Sequence, residues 1–265
     1  MTERLPANYH FLGYKSLVLP VIFFAILFFL PTAIVMALPT GEQVEDGSAT
    51  FERPDSNTLN VTTSNQAVIN WNSFNIAQHE TVNFIQPFSS SQVLNRVMSG
   101  EMSTISGNLN ANGIVVLVNP AGIHFTESAK VNVGSLIASS LNISTADFKA
   151  GRFTFTKVSD LPAGIIINDG SITVSEGGIA ALFGGKVTNN GKIVAQKGTI
   201  ALASGNKTTV NFGGAGERAE LISIVVEEGV DENPVPSSPA TGNQPTEAVK
   251  NNGELIADGG KIDNR

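Results

Sequence analysis

Gly177-Gly178-Ile179-Ala180-Ala181-Leu182-Phe183-Gly184-Gly185 is followed by a second version of itself, Lys197-Gly198-Thr199-Ile200-Ala201-Leu202-Ala203-Ser204-Gly205. Gly178, Ala181, Leu182 and Gly185 each have a counterpart 20 positions later. A second motif interleaves with the first: Asn168-Asp169-Gly170-Ser171-Ile172, then Asn190-Gly191-Lys192-Ile193-Val194-Ala195, then Asn252-Gly253-Glu254-Leu255-Ile256-Ala257. A period of about 20 residues is one turn of a parallel β-helix, in which each coil lays its strands on those of the coil below. Ile, Val, Leu and Ala suit ladders pointing inward. Gly and Asn suit left-handed corners that other residues resist, and Asn side chains at equivalent corners can hydrogen-bond along the stack. The expected fold is all-β, a right-handed parallel β-helix (solenoid) with an N-terminal cap. A β-sandwich with similar loops is the alternative, but it gives no reason for an echo at near-constant spacing.

Upstream of the repeats the pattern is the same in shorter pieces. From Asn57 onward, apolar runs of strand length are broken by Gly, Asn or Ser: Ala67-Val68-Ile69, Thr81-Val82-Asn83-Phe84-Ile85, Ile114-Val115-Val116-Leu117-Val118 and Gly164-Ile165-Ile166-Ile167-Asn168. Leu221-Ile222-Ser223-Ile224-Val225-Val226 continues it, and all of these read as strands. One stretch, Ser91 to Met98, places Val93, Leu94 and Val97 on one helical face, and it reads as a short helix, a turn or an irregular strand.

The 265 residues suffice for one sizeable domain, or for one domain and the start of another. With 42% apolar residues a core can be buried, and only 15% are charged, a balance suited to a turn-rich β protein. The formal charge is −7 and stays acidic without the first 37 residues, which argues against nucleic acid as a partner. There is no cysteine. That excludes a cysteine zinc site, a disulfide framework and a cysteine nucleophile, and it fits passage through an oxidising compartment in unfolded form.

Arg4 and Lys15 precede an uncharged run from Leu17 to Leu38, and the run exits through Val35-Met36-Ala37. A basic start, an apolar stretch and a small-residue exit are the parts of a secretory signal over residues 1–37. A retained anchor is the other reading, since the run is long enough to cross a bilayer. Residues 57–150 and 151–226 are expected to form successive sets of coils. Residues 227–248 hold Pro234, Pro236, Pro239 and Pro245 and read as an extruded loop or linker. Residues 249–265 read as the start of a further coil. The open end expected there suggests the front of a longer protein or a truncated product.

Residues 70–144 carry a series of motifs in order. They are Trp71-Asn72-Ser73-Phe74-Asn75-Ile76, Glu80-Thr81-Val82-Asn83-Phe84 with Gln86-Pro87, Leu94-Asn95-Arg96-Val97, Ile105-Ser106-Gly107-Asn108-Leu109 and Ala111-Asn112-Gly113. Asn119-Pro120-Ala121-Gly122-Ile123 follows, then Val131-Asn132-Val133-Gly134-Ser135-Leu136-Ile137-Ala138. In order and spacing the series closely resembles the secretion (TPS, or haemagglutination-activity) domain of filamentous-haemagglutinin-type exoproteins of two-partner secretion. Two departures stand out. Ala121 occupies a position that is often Asn in the family motif, and the Asn-Pro-Asn-Leu motif of one subfamily is missing, with Gln86-Pro87-Phe88 in the comparable region. The second places the chain nearer the high-molecular-weight-adhesin branch.

The resemblance implies a non-enzymatic, exported domain of an adhesin-like exoprotein. An outer-membrane β-barrel transporter with periplasmic recognition domains would read it in extended form, and it would fold at the cell surface. Host-cell glycans or receptors would be met through the full-length protein, and no cofactor is implied. Asn119, Pro120, Ala121, Gly122 and Ile123 are the candidate site. Physically they read as a turn: Pro120 fixes φ, Gly122 allows positive φ, Asn119 closes an Asx-type bond and Ile123 enters the core. Whether the transporter reads this turn or it only stabilises the domain is left open at this level, and the two roles are compatible. Stepwise stacking of coils suits vectorial folding.

A β-helical lyase or glycosidase is the competing function class, with Asp147, Asp160 and Asp169 as candidate acids. They stand in turn contexts where solvated carboxylates are usual. His124 and Glu127 read as surface groups, and Trp71 as a core or cap residue rather than a sugar platform.

Overall fold

In a computed structural model of the chain, the described residues are 1–2, 38–158, 163–211, 223–228 and 248–265. The apolar segment expected as a signal, Asp160 and most of the proline-rich stretch lie outside them. The fold described below belongs to the unit that begins at Met36.

Among the described residues β1 (Gln43–Asp46) and β2 (Ala49–Asp55) come first, and the chain then winds. The first coil carries β3 (Thr58–Thr63) and β4 (Ala67–Trp71), and the second β5 (Thr81–Ile85), β6 (Gln92–Val97) and β7 (Ser103–Ile105). The third carries β8 (Asn108–Ala111), β9 (Ile114–Val118) and β10 (Gly122–Phe125). After β11 (Lys130–Val133) and β12 (Ser135–Ser139) the chain leaves the helix through α1 (Thr145–Lys149) and β13 (Phe153–Thr156), then returns as β14 (Ile165–Asn168). One uninterrupted coil follows: β15 (Ser171–Val174), β16 (Ile179–Gly184) and β17 (Lys186–Asn189). After β18 (Lys192–Val194) and β19 (Thr199–Ser204), a second excursion carries β20 (Lys207–Asn211) and β21 (Ser223–Glu228). The chain re-enters as β22 (Val249–Asn251), β23 (Glu254–Ile256) and β24 (Lys261–Asn264).

Among the described residues these strands make two eight-stranded sheets, one five-stranded sheet and one three-stranded sheet. The first three are the faces of a parallel β-helix, and the echo in the sequence is its register. Ile179 to Gly184 pair with Thr199 to Ser204, residue by residue. Side chains on the inner faces, among them Leu59, Val82, Leu109, Val131, Ile172 and Ile193, form one continuous buried core. Each coil places a similar apolar group over the one below, as strands alternating in and out require.

The faces differ in what covers them outside. Strands of the sheet β3-β5-β8-β11-β15-β18-β23 alternate buried and accessible positions. Those of the sheet running from β4 to β19 are nearly continuously buried. Both faces of that sheet are dry, which is why its sequences read as unbroken apolar runs. Its outer side chains (Val68, Leu94, Val116, Ile137, Ala181, Phe183) pack under Phe148, Phe153, Phe155 and Val210 from the two excursions, forming a second core. Phe155 meets Phe183 edge-on, with ring centroids 4.8 Å apart. The excursion strands β13, β20 and β21 pair antiparallel with one another. Thus residues 151–226 hold coils and also a small sheet outside the helix, and of the run from Leu221 to Val226 the described residues, 223–226, contribute to that sheet.

Residues 91–98 form a strand rather than a helix. Val93 and Val97 join the inner core and Leu94 the outer one, so the helix-like spacing reflects burial on both faces of one strand. Asn95 accepts a bond from the buried Trp71 indole Nε1 at 2.9 Å. Trp71 is a core residue near the N-terminal end, edge-on to both Phe51 and Phe74.

Asparagine ladders run along the stack. Asn83 Nδ2 donates to Asn60 and Asn110 Nδ2 to Asn83, each at 2.9 Å, on the accessible side. Inside, Asn168 Nδ2 donates to Asn189 and Asn189 Nδ2 to Asn251, each at 2.7 Å, across sequence separations of 21 and 62 residues. No described asparagine is left-handed; the non-glycine residues with positive φ are Gln66 and Lys197. The glycine of the Asn-Gly repeats serves close approach instead. A Cβ on Gly191 would lie 2.1 Å from the Gly170 carbonyl oxygen, and one on Gly253 would lie 2.0 Å from that of Gly191.

The N-terminal end is closed by β1, antiparallel on β4, and by β2, antiparallel on β3. A polar clasp holds this cap. Arg96, almost fully buried, donates to Glu45 Oε2 at 2.7 Å, Asn70 at 3.0 Å, Asn142 at 3.1 Å and the Ile143 carbonyl at 2.9 Å. The Thr145 hydroxyl donates to Glu45 Oε1, and Asn70 Nδ2 donates to Glu45 Oε2 at 2.8 Å. The Thr145 bond, then those from Asn70 and Arg96, holds the Glu45 carboxyl below its usual range.

Two outcomes are expected. Asn189→Ala, which breaks both bonds of the inner ladder, should destabilise the domain by about 2–3 kcal/mol in urea unfolding, while Asn83→Ala on the outer ladder should change it by less than about 1 kcal/mol. Because the folded-state pKa of Glu45 is depressed, its contribution is fully present above the ordinary Glu pKa of about 4.3 and is lost as pH falls through the lower folded value. Glu45→Gln should therefore flatten the acid limb of the stability–pH curve, and an unchanged limb would count against the clasp.

Candidate functional site

The five residues Asn119 to Ile123 join β9 in one sheet to β10 in the next. Pro120 lacks a backbone donor, so the corner falls where no ladder bond is needed. Asn119 Oδ1 accepts the Ala121 N–H at 3.0 Å, and the Gly122 N–H donates to the Asn119 carbonyl at 2.9 Å, closing an Asx-type turn. Gly122 has φ +112°, and a Cβ there would stand 2.6 Å from the Ile165 carbonyl oxygen of the next coil. Both constraints demand glycine. Ile123 is fully buried in the inner core.

Asn119 itself has no accessible surface. Beyond the turn bond, its Nδ2 donates to the Glu101 carbonyl at 2.8 Å and to Ser103 Oγ at 2.9 Å. These bonds tie the corner of the third coil to the second. The next coil closes from the other side, with the Gly164 N–H on the Pro120 carbonyl at 3.0 Å. All five predicted residues are thus one structural unit. Ala121 contributes a backbone N–H, and its half-exposed side chain bonds nothing, so replacing asparagine here leaves the turn intact.

Sequence reasoning missed what flanks the turn. Met102, 39% exposed, brings its Cε to 3.1 Å from the place a Gly122 Cβ would occupy, and Ile165 is equally exposed. An accessible apolar rim therefore borders a buried polar corner. The motif Gln86-Pro87-Phe88 is also split: Gln86 is buried and bonded to Asn112 and to the Ser91 carbonyl, whereas Phe88 is exposed.

The candidate acids sit apart in the fold. Asp147 lies in the first turn of α1, which Ser144 caps; it accepts the Ser144 hydroxyl at 2.6 Å and is ion-paired with Arg152, and these bonds lower its pKa. Asp169 stands at the corner between β14 and β15. It accepts from Asn190 Nδ2 at 2.7 Å and pairs with His124 Nε2 at 2.7 Å; the Asn190 bond leads in lowering its pKa. His124 is half-buried and Glu127 exposed. Among the described residues, no cluster of three or more His, Asp or Glu side chains is placed to hold a metal ion.

Asn119→Ala would strand the Glu101 carbonyl, Ser103 and the Ala121 N–H, each at about 1–3 kcal/mol where water cannot enter. Gly122→Ala should be at least as damaging, while Ala121→Asn should be within about 0.5 kcal/mol of the parent. Chemical denaturation of the three variants checks this ranking, and it is contradicted if Ala121→Asn proves as disruptive as Asn119→Ala.

The TPS secretion domain family matches residues 36–260. The chain is 34% identical to the HMW1 secretion domain from Haemophilus influenzae, whose crystal structure superposes with a TM-score of 0.70 over 86% of this chain and 57% of that one. Two curated relatives are heme/hemopexin-binding proteins of Haemophilus influenzae, one from strain ATCC 51907 / DSM 11121 / KW20 / Rd. They are 35% identical over 112 residues and 37% over 106 residues, or 42% and 40% of this chain. In each case the match spans 12% of the relative's own length. Proteins of this family are secreted across the outer membrane of Gram-negative bacteria through a dedicated transporter, and the family is one of secretion domains rather than of enzymes. With the parallel β-helix and the matched residues together, the chain belongs to the TPS secretion domain family.

Proposed function

We propose that this domain drives export of a longer, adhesin-like exoprotein and carries no catalytic activity of its own. The transporter's periplasmic domains read the chain while it is extended, with residues 1–37 serving as the secretory signal and the β-helix forming at the cell surface. The Asn119–Ile123 segment has two successive roles in this reading: it is available to the transporter before folding and becomes a closed corner afterwards.

The observation that supports this order is the state of Asn119. In the folded domain its side chain has no accessible surface, and both its amide nitrogen and its oxygen are engaged inside the domain. A partner that recognises this asparagine must therefore meet it unfolded. Because its polar atoms are bonded in the folded domain, burying this side chain carries no unsatisfied-group penalty once the segment is released. Binding of host-cell glycans or receptors, and of heme or hemopexin as in the names of the relatives, are activities of a longer protein, not of this domain.

Secretion into the medium, with and without the cognate transporter, tests the proposal. Transporter-dependent export of the parent chain is expected, falling severalfold in Asn119→Ala and Pro120→Ala but not in Ala121→Asn. Export that needs no transporter would overturn it, as would no export with the cognate one.

A further inference from the structure

The polar clasp at the N-terminal end joins three parts of the chain that are far apart in sequence. Glu45 and Asp46 belong to the cap strand β1, Arg96 to the second coil, and Asn142 to Lys149 to the first excursion. Glu45 is linked to Thr145 across 100 residues, and Asp46 accepts from Lys149 Nζ at 2.6 Å across 103. Gln66 Nε2, beside the first coil's strand, reaches the Lys149 carbonyl at 3.4 Å. Arg96 stands at the centre, almost wholly removed from water, and three of its acceptors, Asn142, the Ile143 carbonyl and Thr145 Oγ1 at 3.3 Å, come from the excursion. A buried guanidinium without those acceptors is strongly unfavourable.

The apolar contacts have the same dependence. Val68, Leu94 and Val116 of the first three coils are fully buried, and the side chains over them in the outer core include Phe148, Phe153 and Phe155. Until those residues arrive, the outer face of these coils is an exposed apolar strip and Arg96 lacks three of its five acceptors.

We infer that the N-terminal cap, the first three coils and the excursion through residue 156 close in a single cooperative step, so that the domain has no stably capped N-terminal piece shorter than this. Coil-by-coil stacking, expected from the repeat alone, then begins only beyond the clasp, where β16, β19 and β24 add in register. The consequence for export rests on the function proposed above: the transporter would hold more than a hundred residues of extended chain before any of it locks, which keeps the Asn119 segment readable for that interval.

Native-state hydrogen exchange on the full chain, followed by mass spectrometry, tests the inference without reference to export. Thr145→Val removes the hydroxyl that bridges Glu45 and Arg96 while keeping the side-chain volume. The expected result is a loss of protection of about tenfold in residues 43–46 and 92–97 together with 145–149, and no change in 199–204. Glu45→Gln, on the opposite side of the clasp, should loosen 145–149 reciprocally. If either variant loosens only its own segment, or if neither changes any protection, the inference fails. Measuring secretion of the same variants keeps the two questions separate, since a chain can be exported normally whether or not its cap and excursion are coupled.

Discussion

Every part of this domain answers to one constraint: each coil must present to the next the same kind of group at the same place, about 4.8 Å away. Apolar side chains stack on apolar side chains and carboxamides on carboxamides. At the Asn-Gly corners the carbonyl below sits so close that any Cβ above it is excluded. A misfit in one coil cannot be absorbed sideways, because its neighbours are the coils before and after it. The Asn168–Asn189–Asn251 ladder shows how strict this is: Asn168 and Asn189 are tolerated in the buried interior because Asn168 bonds to Asn189, and Asn189 in turn to the exposed Asn251.

A helix built this way has two weak places, its ends and any face with apolar groups pointing out. The N-terminal end is closed by antiparallel strands and a knot of aromatic rings around Trp71, which satisfies the open edges. The apolar outer face is covered by material extruded from the coils themselves. These two solutions meet at Arg96, and so the end cap and the face cover stand or fall together. The corner at Asn119 lies inside this framework, fixed by the coil on either side of it.

The fold was legible where nothing interrupts the coil. Residues 177–185 and 197–205 are successive turns, and their echo is the pairing of β16 with β19. Excursions hid the period elsewhere, since Asn189 and its partner Asn251 are 62 residues apart. Paired asparagines blurred the register too: Asn190 echoes the Asn168 motif, yet it is Asn189 that stacks on Asn168, while Asn190 rests on Asp169. The turn chemistry of Asn119, Pro120, Gly122 and Ile123 was readable from local rules. The bonds from Asn119 to Glu101 and Ser103, and the clasp around Arg96, were not, because they depend on residues brought near only by winding. Residues 91–98 allowed helix, turn or strand because burial on both faces of β6 imitates a helical stripe.

The proposed function depends on a change of accessibility at one side chain. Asn119 is sealed in the folded domain, so the recognition proposed for it has to precede folding. The most direct measurement is the binding of the transporter's isolated periplasmic domains to the chain, first held unfolded in urea that leaves those domains intact and then after refolding. The expected result is binding to the unfolded chain, weakened by Asn119→Ala, and little binding to the folded domain. Equal binding to the folded domain, indifferent to Asn119, would contradict it.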